Sequence, residues 1–509
     1  MENRKVSSLF GRDAPREGYP AGYGWLLRKY DLHVPVPRRL ALVDGRRGRR
    51  NEGDWLLFDK SYRPEDDVYD HLVFALKYEG LDLHLLTTLF ERLGPTRVTK
   101  LLRREPSGQY TRRLWFLYEW LLGKKLDLPD TTSKDYYDLL NPALQYAGPA
   151  RPSRRHGIRN NLPGTVDFCP LVHRTPELDR LMALDLASEA HAVLKSAPRE
   201  LMNRAAAFLL LADSRASFAI EGERPPDDRV RSWAAAIGQA GSTPLSRDLL
   251  EELQRIIIPR PPRGLPMGFR TQEGFIGDRD RVTHAPLPSH ISAKATDVPR
   301  LLGGLLHTAI LLSDDVYDPV LAAASIAFGF VFIHPFVDGN GRLHRWLVHH
   351  ILAMRGFTKK GFVFPVSSVI LDRIAEYRAT LEAYSLPRLA FIEWSTDDNL
   401  NVAITNDTID LYRYFDATPQ ALFLYDCVRE TVETSLPAEL EQLRMQDEMK
   451  SWLEREFEFP DATDTLLIGF LRQGNGTLSA RARKKEFRDI PAADLDRIEM
   501  RFREVFGTG

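Results

Sequence analysis

The sequence predicts a mostly α-helical protein with one small β-hairpin and an accessory region at each end. Three observations carry that expectation. Apolar residues recur at helical spacing in segments spread along the chain, such as His71 to Leu93, Thr111 to Leu122 and Leu201 to Glu223. Leu321 to Ile333 is apolar on all sides, which marks a buried central helix. Short β-prone pieces broken by Gly and Asp lie between Phe269 and Pro288 and predict a hairpin.

With 509 residues, two or three domains are expected. An accessory region over residues 1–165 ends in the polar, Pro- and Arg-containing stretch Gly148 to Pro163. Its basic segment Arg38 to Arg50 reads as a solvated loop, because Glu52 and Asp54 lie close by. The central region covers 170–415. A helical C-terminal region, 416–509, has short helices expected over Thr465 to Leu471, Ala480 to Phe487 and Pro491 to Phe506, with a Gly474-Asn475-Gly476 turn between the first two. Lys484, Lys485 and their neighbouring arginines would suit a helix-turn-helix reader, but a packing or interaction domain is the preferred expectation.

Composition excludes several classes. The net charge of −1 argues against a dominant nucleic-acid or membrane field. No apolar run is long enough to span a bilayer. Arg4, Lys5, Arg12 and Asp13 leave no room for an apolar targeting core. Cys169 and Cys427 are the only cysteines, so no disulfide framework is expected and a reducing, cytoplasmic setting is. Neither a zinc-type Cys/His cluster nor a Gly-Lys-Ser/Thr phosphate loop occurs.

The densest chemistry lies in His334-Pro335-Phe336-Val337-Asp338-Gly339-Asn340-Gly341-Arg342-Leu343-His344-Arg345. Pro335 disfavours helical geometry at His334, so the buried helix should end there. Leu343, Trp346, Leu347, His350, Ile351 and Met354 recur at helical spacing, with Gly356 as a C-terminal cap. The Asp-Gly-Asn-Gly loop therefore opens a helix, where free N–H groups and the dipole favour an anion. Alone, that string is a common turn; a following helix with two arginines changes its meaning. A histidine base, a carboxylate suited to Mg²⁺, a glycine loop and two arginine forks together point to phosphoryl or nucleotidyl chemistry. Phe336 reads as core, and His344, His349 and His350 as structural or solvent-facing.

This run resembles the signature of the Fic family without a gap: His, any residue, Phe, any residue, Asp or Glu, Gly, Asn, Gly, Arg, two of any kind, Arg. The resemblance implies a Fic-type helical core that transfers AMP from ATP to a protein Ser, Thr or Tyr hydroxyl. It implies that His334 is the base and that Asp338 holds Mg²⁺ on the phosphates. Gly339, Asn340, Gly341 and Arg342 would form the anion hole, and Arg345 would hold the γ-phosphate. Ser217-Phe218-Ala219-Ile220-Glu221-Gly222, at the end of a predicted helix, resembles the family's inhibitory motif. The implied inhibitory residues are Ser217, Glu221 and Gly222, with Glu221 pairing Arg345 and denying it to the γ-phosphate. By position, the predicted hairpin resembles the family's target-docking flap, with Phe275, Ile276 and Gly277 as contact residues. Val366-Ser367-Ser368 and Tyr377 to Tyr384 resemble the helices that follow, and Tyr377 would border the nucleotide.

The expected protein is thus a self-inhibited adenylyltransferase with ATP and an unidentified target protein as partners, or itself as target. The same site could instead remove AMP, with Glu221 orienting a water, or move another nucleotide. From another class, the chain would be a DNA-binding regulator with a vestigial core; intact His334, Asp338, Arg342 and Arg345 speak against that decay.

Overall fold

The N-terminal region sets a five-stranded sheet against a layer of helices. The strands are β1 (Val6–Leu9), β2 (Arg12–Ala21), β3 (Leu40–Val43), β4 (Arg50–Glu52) and β5 (Trp55–Phe58), in the order β1-β2-β3-β5-β4, with only β3 and β5 parallel. The helices are α1 (Gly22–Tyr30), α2 (Val68–Tyr78), α3 (Leu83–Leu102) and α4 (Gln109–Leu122). This computed structural model describes residues 4–195, 198–358, 364–457 and 459–507.

Two expectations for this region are corrected. The stretch 38–50 is not simply a solvated loop: it contains β3, all four residues of which are buried. Leu40 and Leu42 pack with Trp55 and Leu57 on one sheet face, while Ala41 and Val43 pack with Leu56, Phe58 and Phe74 on the other. Four apolar residues buried on both faces show no alternation, so periodicity could not reveal them. The helical pattern over His71 to Leu93 is two helices. Gly80 takes a positive φ of 95° between them, and Asp82 caps the second by accepting from Leu85 N at 3.0 Å.

A three-stranded sheet, β6 (Tyr137–Asp138), β7 (Arg151–Ser153) and β8 (Ile158–Asn160), precedes the central region. There, α5 (Pro176–Met182), α6 (Leu186–Lys195), α7 (Arg199–Ile220), α8 (Asp227–Gly238) and α9 (Arg247–Ile257) lead to the hairpin β9 (Phe275–Arg279) and β10 (Pro286–Ile291). Next come α10 (Val298–Leu311), α11 (Pro319–Ile333), α12 (Asn340–Met354), α13 (Val366–Asp372) and α14 (Ile374–Leu389). A second hairpin of β11 (Trp394–Thr396) and β12 (Val402–Ile404) and the short α15 (Ile409–Arg413) close the region.

The axis of the core is α11, buried from Val320 to Ile333. Asp318 starts it by accepting from Val320 N and Leu321 N, and His334 ends it in the left-handed region at φ 53°. The large core continues beyond residue 415: Ala421, Phe423 and Leu424 on α16 (Thr418–Glu430), and Leu436, Leu440 and Leu443 on α17 (Leu436–Glu456), pack into it. The far end of α17 contributes Met449 and Leu453 to a separate small core with α18 (Asp461–Gln473), α19 (Ala480–Lys485) and α20 (Ala492–Phe506). In that core Arg483 is spent on Asp496 and Glu499 of α20. Among the described residues no helix is long and apolar enough to cross a membrane.

One packing constraint is directly testable. A Cβ on Gly329, in α11, would stand 2.2 Å from the end of the Phe168 ring, which is itself fully buried. Gly329→Ala gains roughly 1 kcal/mol of helix propensity but overpacks the core at a cost of about 1–3 kcal/mol. A net loss of stability is expected in urea unfolding, and a midpoint above that of the wild type would contradict this packing.

Candidate active site

The loop between α11 and α12 carries the site. At its start, the His334 ring nitrogen Nδ1 lies 3.2 Å from Val331 O. A carbonyl only accepts, so Nδ1 carries the proton and Nε2 keeps its lone pair. Burial, with the Arg270 guanidinium second, pushes the His334 pKa down to about 4. The imidazole is therefore neutral at neutral pH, as a proton acceptor must be.

The loop is held in shape from both sides. Asn340 accepts from Phe336 N at 3.0 Å and donates to Phe336 O at 2.8 Å, closing the turn on itself. Gly339 sits at φ 98°, a left-handed conformation that glycine adopts without strain. The Asp338 carboxylate accepts from Gly339 N at 2.6 Å and from Arg342 Nη2 at 2.8 Å, and is about half exposed, facing a cavity of about 780 Å³. A single such carboxylate could hold a Mg²⁺ whose other ligands are phosphate oxygens and waters; among the described residues no cluster of three acidic, His or Cys ligands competes for that role.

Arg345 is almost wholly buried, and α7 supplies its partners. Its Nε donates to Ser217 Oγ at 3.1 Å, and its Nη2 donates to Ser217 O at 2.6 Å and pairs with Glu221 Oε1 at 2.9 Å. The same Glu221 oxygen lies so close to Gly341 that a Cβ there would meet it at 2.1 Å. Gly222 follows at φ 75° and ends the helix. One turn earlier on α7, buried Asp213 accepts from His349 at 2.9 Å and from Ser367 Oγ and N at 2.8 and 2.7 Å. So Asp213, Ser217 and Glu221 on α7 meet His349, Arg345 and Gly341 on α12. Both helices advance by four residues per step, in opposite directions.

The remaining site residues fall elsewhere. Phe275, Ile276 and Gly277 lie in β9, paired to β10 along one edge, with Ile276 exposed. Gly277 is at φ 148°, where a Cβ would strike Leu287 O at 2.3 Å. Tyr377, by contrast, is buried beside Arg345 and Glu221, with its ring against His344, Phe328 and Phe423. None of the three histidines on α12 faces solvent. His344 packs on Phe328 and Tyr377, His349 pairs with Asp213, and His350 Nδ1 accepts from Gly241 N at 3.1 Å.

Four residues not singled out in the sequence also shape the site. Buried Arg270 donates to His334 O at 2.7 Å, to Gln272 O at 2.9 Å and to Ala293 O, tying the base's peptide to the foot of the hairpin. Gln254, fully buried, donates to Asp338 O at 3.1 Å and accepts from Gly268 N at 2.8 Å. Glu223 pairs with Arg342 at 2.5 Å and with Arg229 at 3.2 Å. The contacts to His334, Asp338 and Arg342 span 64, 84 and 119 residues, and nothing local in the sequence announces them.

Comparison with known proteins follows from this geometry. Residues 244–352 match the model of the Fic/DOC family. A protein adenylyltransferase Fic from Nematostella vectensis is 26% identical over 134 residues, and the match covers 26% of this chain and 30% of that relative's length. Among solved structures, a Fic family protein from Desulfovibrio desulfuricans G20 aligns at 22% identity with a TM-score of 0.36, over 53% of this chain and 78% of that one. A Fic domain containing signaling protein from Bacteroides thetaiotaomicron VPI-5482 aligns at 17% identity with a TM-score of 0.36, over 52% of this chain and 97% of the other.

The shifted histidine has a consequence for stability. In the unfolded chain His334 titrates near 6.5; in the folded chain it titrates near 4. Between those values the unfolded state binds more protons, so this contribution is full above pH 6.5 and is lost as pH falls towards 4. Urea unfolding of wild type and His334→Gln should diverge in that window, with the wild type losing up to about 1.4 kcal/mol more per pH unit. Parallel curves would mean that His334 titrates normally.

Proposed function

We propose that this chain, which belongs to the Fic family through its domain at residues 244–352, is a self-inhibited adenylyltransferase that moves AMP from ATP to a protein hydroxyl. The observation that carries the reading is the Glu221 carboxylate, lodged 2.9 Å from Arg345 and against Gly341 at the start of α12. That is where a helix N-terminus and an arginine would receive a phosphate.

The chemistry follows from the residues. His334 Nε2 takes the proton of the incoming Ser, Thr or Tyr hydroxyl. The hydroxyl oxygen forms a bond to the α-phosphorus, the bond to the β-phosphate oxygen breaks, and pyrophosphate leaves. Mg²⁺, held by Asp338, would neutralise charge on the phosphates when bound. Gly339, Gly341 and Arg342 would cradle the α- and β-phosphates, and Arg345 the γ-phosphate, so catalysis is mainly positioning and charge stabilisation. The unpaired edge of β9, with Phe275, Ile276 and Gly277, would take an extended target segment by strand addition. Glu221 Oε1 is engaged by Arg345 while the carboxylate stays about one-third exposed, which keeps open a second reading, AMP removal with Glu221 orienting a water. Release of AMP from a pre-labelled target would separate the two.

Glu221→Gly should therefore raise incorporation of labelled AMP from a low wild-type level by roughly an order of magnitude or more, as one charge-assisted contact is freed for phosphate. Arg345→Ala in that background should return it towards silence, and His334→Ala should abolish it with ATP binding retained. Equal labelling by wild type and Glu221→Gly would refute self-inhibition.

The rate should also be nearly flat with pH on the acid side. With its pKa near 4, His334 stays a free base from pH 8 to 6; an ordinary histidine would be mostly protonated at pH 6. Labelling by Glu221→Gly is measured across that range with a pH-insensitive target. A steep fall between pH 7 and 6 would remove His334 as the low-pKa base.

A further inference from the structure

Two residues beyond Glu221, the chain brings a second carboxylate into the site. Glu223 Oε1 lies 2.5 Å from Arg342 Nη1, and its Oε2 lies 3.2 Å from Arg229 Nη2. One carboxylate thus spans two guanidinium groups, one oxygen to each. Both groups also lie over the face of Phe218, at 5.6 Å for Arg342 and 5.0 Å for Arg229. The Arg342 side chain is only 3% exposed, and both arginines keep a buried Nε with no hydrogen-bond partner. Arg229 is aimed by a further bond from its Nη2 to Ile257 O at 2.7 Å. Glu223 itself is about one-third exposed, on the wall of the 780 Å³ cavity that Asp338 also faces.

Two arginines gathered at one point repel each other unless an anion lies between them. Glu223 supplies that anion in this conformation. A phosphate offers oxygens at similar spacing, more charge, and additional acceptors for the two unpartnered Nε groups. The α7 end explains how the exchange would happen. Glu221 and Glu223 sit on the same turn, so one displacement of that turn withdraws both carboxylates from both signature arginines.

We infer that Arg229 and Arg342 form a second phosphate subsite, and that Glu223 fills it in the closed form as a second lock beside Glu221. The ligand class is a pyrophosphoryl group, carried by a nucleoside triphosphate or released as pyrophosphate. This rests on the reading of the site as one that binds nucleotide phosphates; it adds a residue outside the signature to the binding machinery and a second carboxylate to its inhibition.

The test is calorimetric and needs no transfer activity. Mg²⁺·ATP and, separately, Mg²⁺·pyrophosphate are titrated into the full chain as wild type, Glu221→Gly, Glu223→Gln, the double variant, and the double variant with Arg229→Gln. Glu223→Gln should tighten pyrophosphate binding by on the order of tenfold within the Glu221→Gly background, as expected for one freed charge-assisted site. Arg229→Gln should remove that gain, and Arg229→Lys should keep only part of it, since an ammonium lacks the fork. Thermal unfolding of each variant checks that the fold is retained, and Arg229→Lys guards against a loss due to misfolding. An affinity unchanged by Glu223→Gln, a gain that survives Arg229→Gln, or no binding of either probe by any variant would overturn the subsite. ATP affinity that rises without a change for pyrophosphate would overturn it too, because the adenosine end would then be responsible. If the pyrophosphate pattern holds while Glu221→Gly labels no protein, the subsite stands and the transfer reading falls.

Discussion

A guanidinium that is 1% exposed cannot be left without an anion, and the site is organised around that constraint at Arg345. Burying an unpaired charge costs several kcal/mol even after relaxation, on the order of what a whole domain has to spare. Arg345 must therefore always have a counter-charge. In this conformation it is Glu221, with both oxygens of Ser217 accepting from Nε and Nη2. In a nucleotide complex it would be phosphate. On the proposed reading, inhibition would need no separate device: it would be the resting solution to a problem that the binding site itself creates. Arg342, 3% exposed, meets the same constraint with Asp338 and Glu223.

The chemistry of the site was largely legible in the sequence because it is local. His334 to Arg345 lie within one loop and the first turns of one helix, so spacing alone placed the base, the carboxylate, the glycines and the arginines on their elements. Pro335 marked the end of α11, and α11 does end at Ile333. What was not legible is what holds these groups still. Arg270 reaches the His334 carbonyl across 64 residues, and Gln254 reaches the Asp338 carbonyl across 84. An arginine before a hairpin and a glutamine inside an amphipathic helix have ordinary surface explanations, and only folding distinguishes them. The same holds for Asn340: its place in the loop was evident, but that its side chain staples Phe336 was not.

The N-terminal sheet escaped notice for a different reason. Its strands are three to ten residues long, β3 and β5 are apolar on both faces, and β4 is charged. Neither alternation nor a long run marks such pieces. The C-terminal boundary illustrates a third limit. The region beyond 415 was expected to be helical, but periodicity does not say which core a helix joins: the large core captures α16 and α17 as far as Leu443 before α17 crosses to the small one.

The pairing of α7 with α12 fixes the Glu221–Arg345 contact in register. Asp213, Ser217 and Glu221 occupy successive turns of one helix face, and His349, Arg345 and Gly341 occupy successive turns of the opposing face. Residues four apart stack in a row along a helix, so two antiparallel helices meet rung by rung. A slip of one turn would set Asp213 against Arg345 and leave His349 without its carboxylate. It would also break the two bonds that Asp213 accepts from Ser367 on α13, both in the fully buried interior. Losing one partner of a buried charged hydrogen bond costs roughly 1–3 kcal/mol or more, so register is held at the Asp213 end, away from the nucleotide site. The Glu221 end has looser ties: its carboxylate is about one-third exposed and Gly222 and two prolines follow at once. The ladder is thus anchored at its buried rung and tied more loosely at its exposed one; on the proposed reading, α7 would stay docked while the last turn gives way to phosphate.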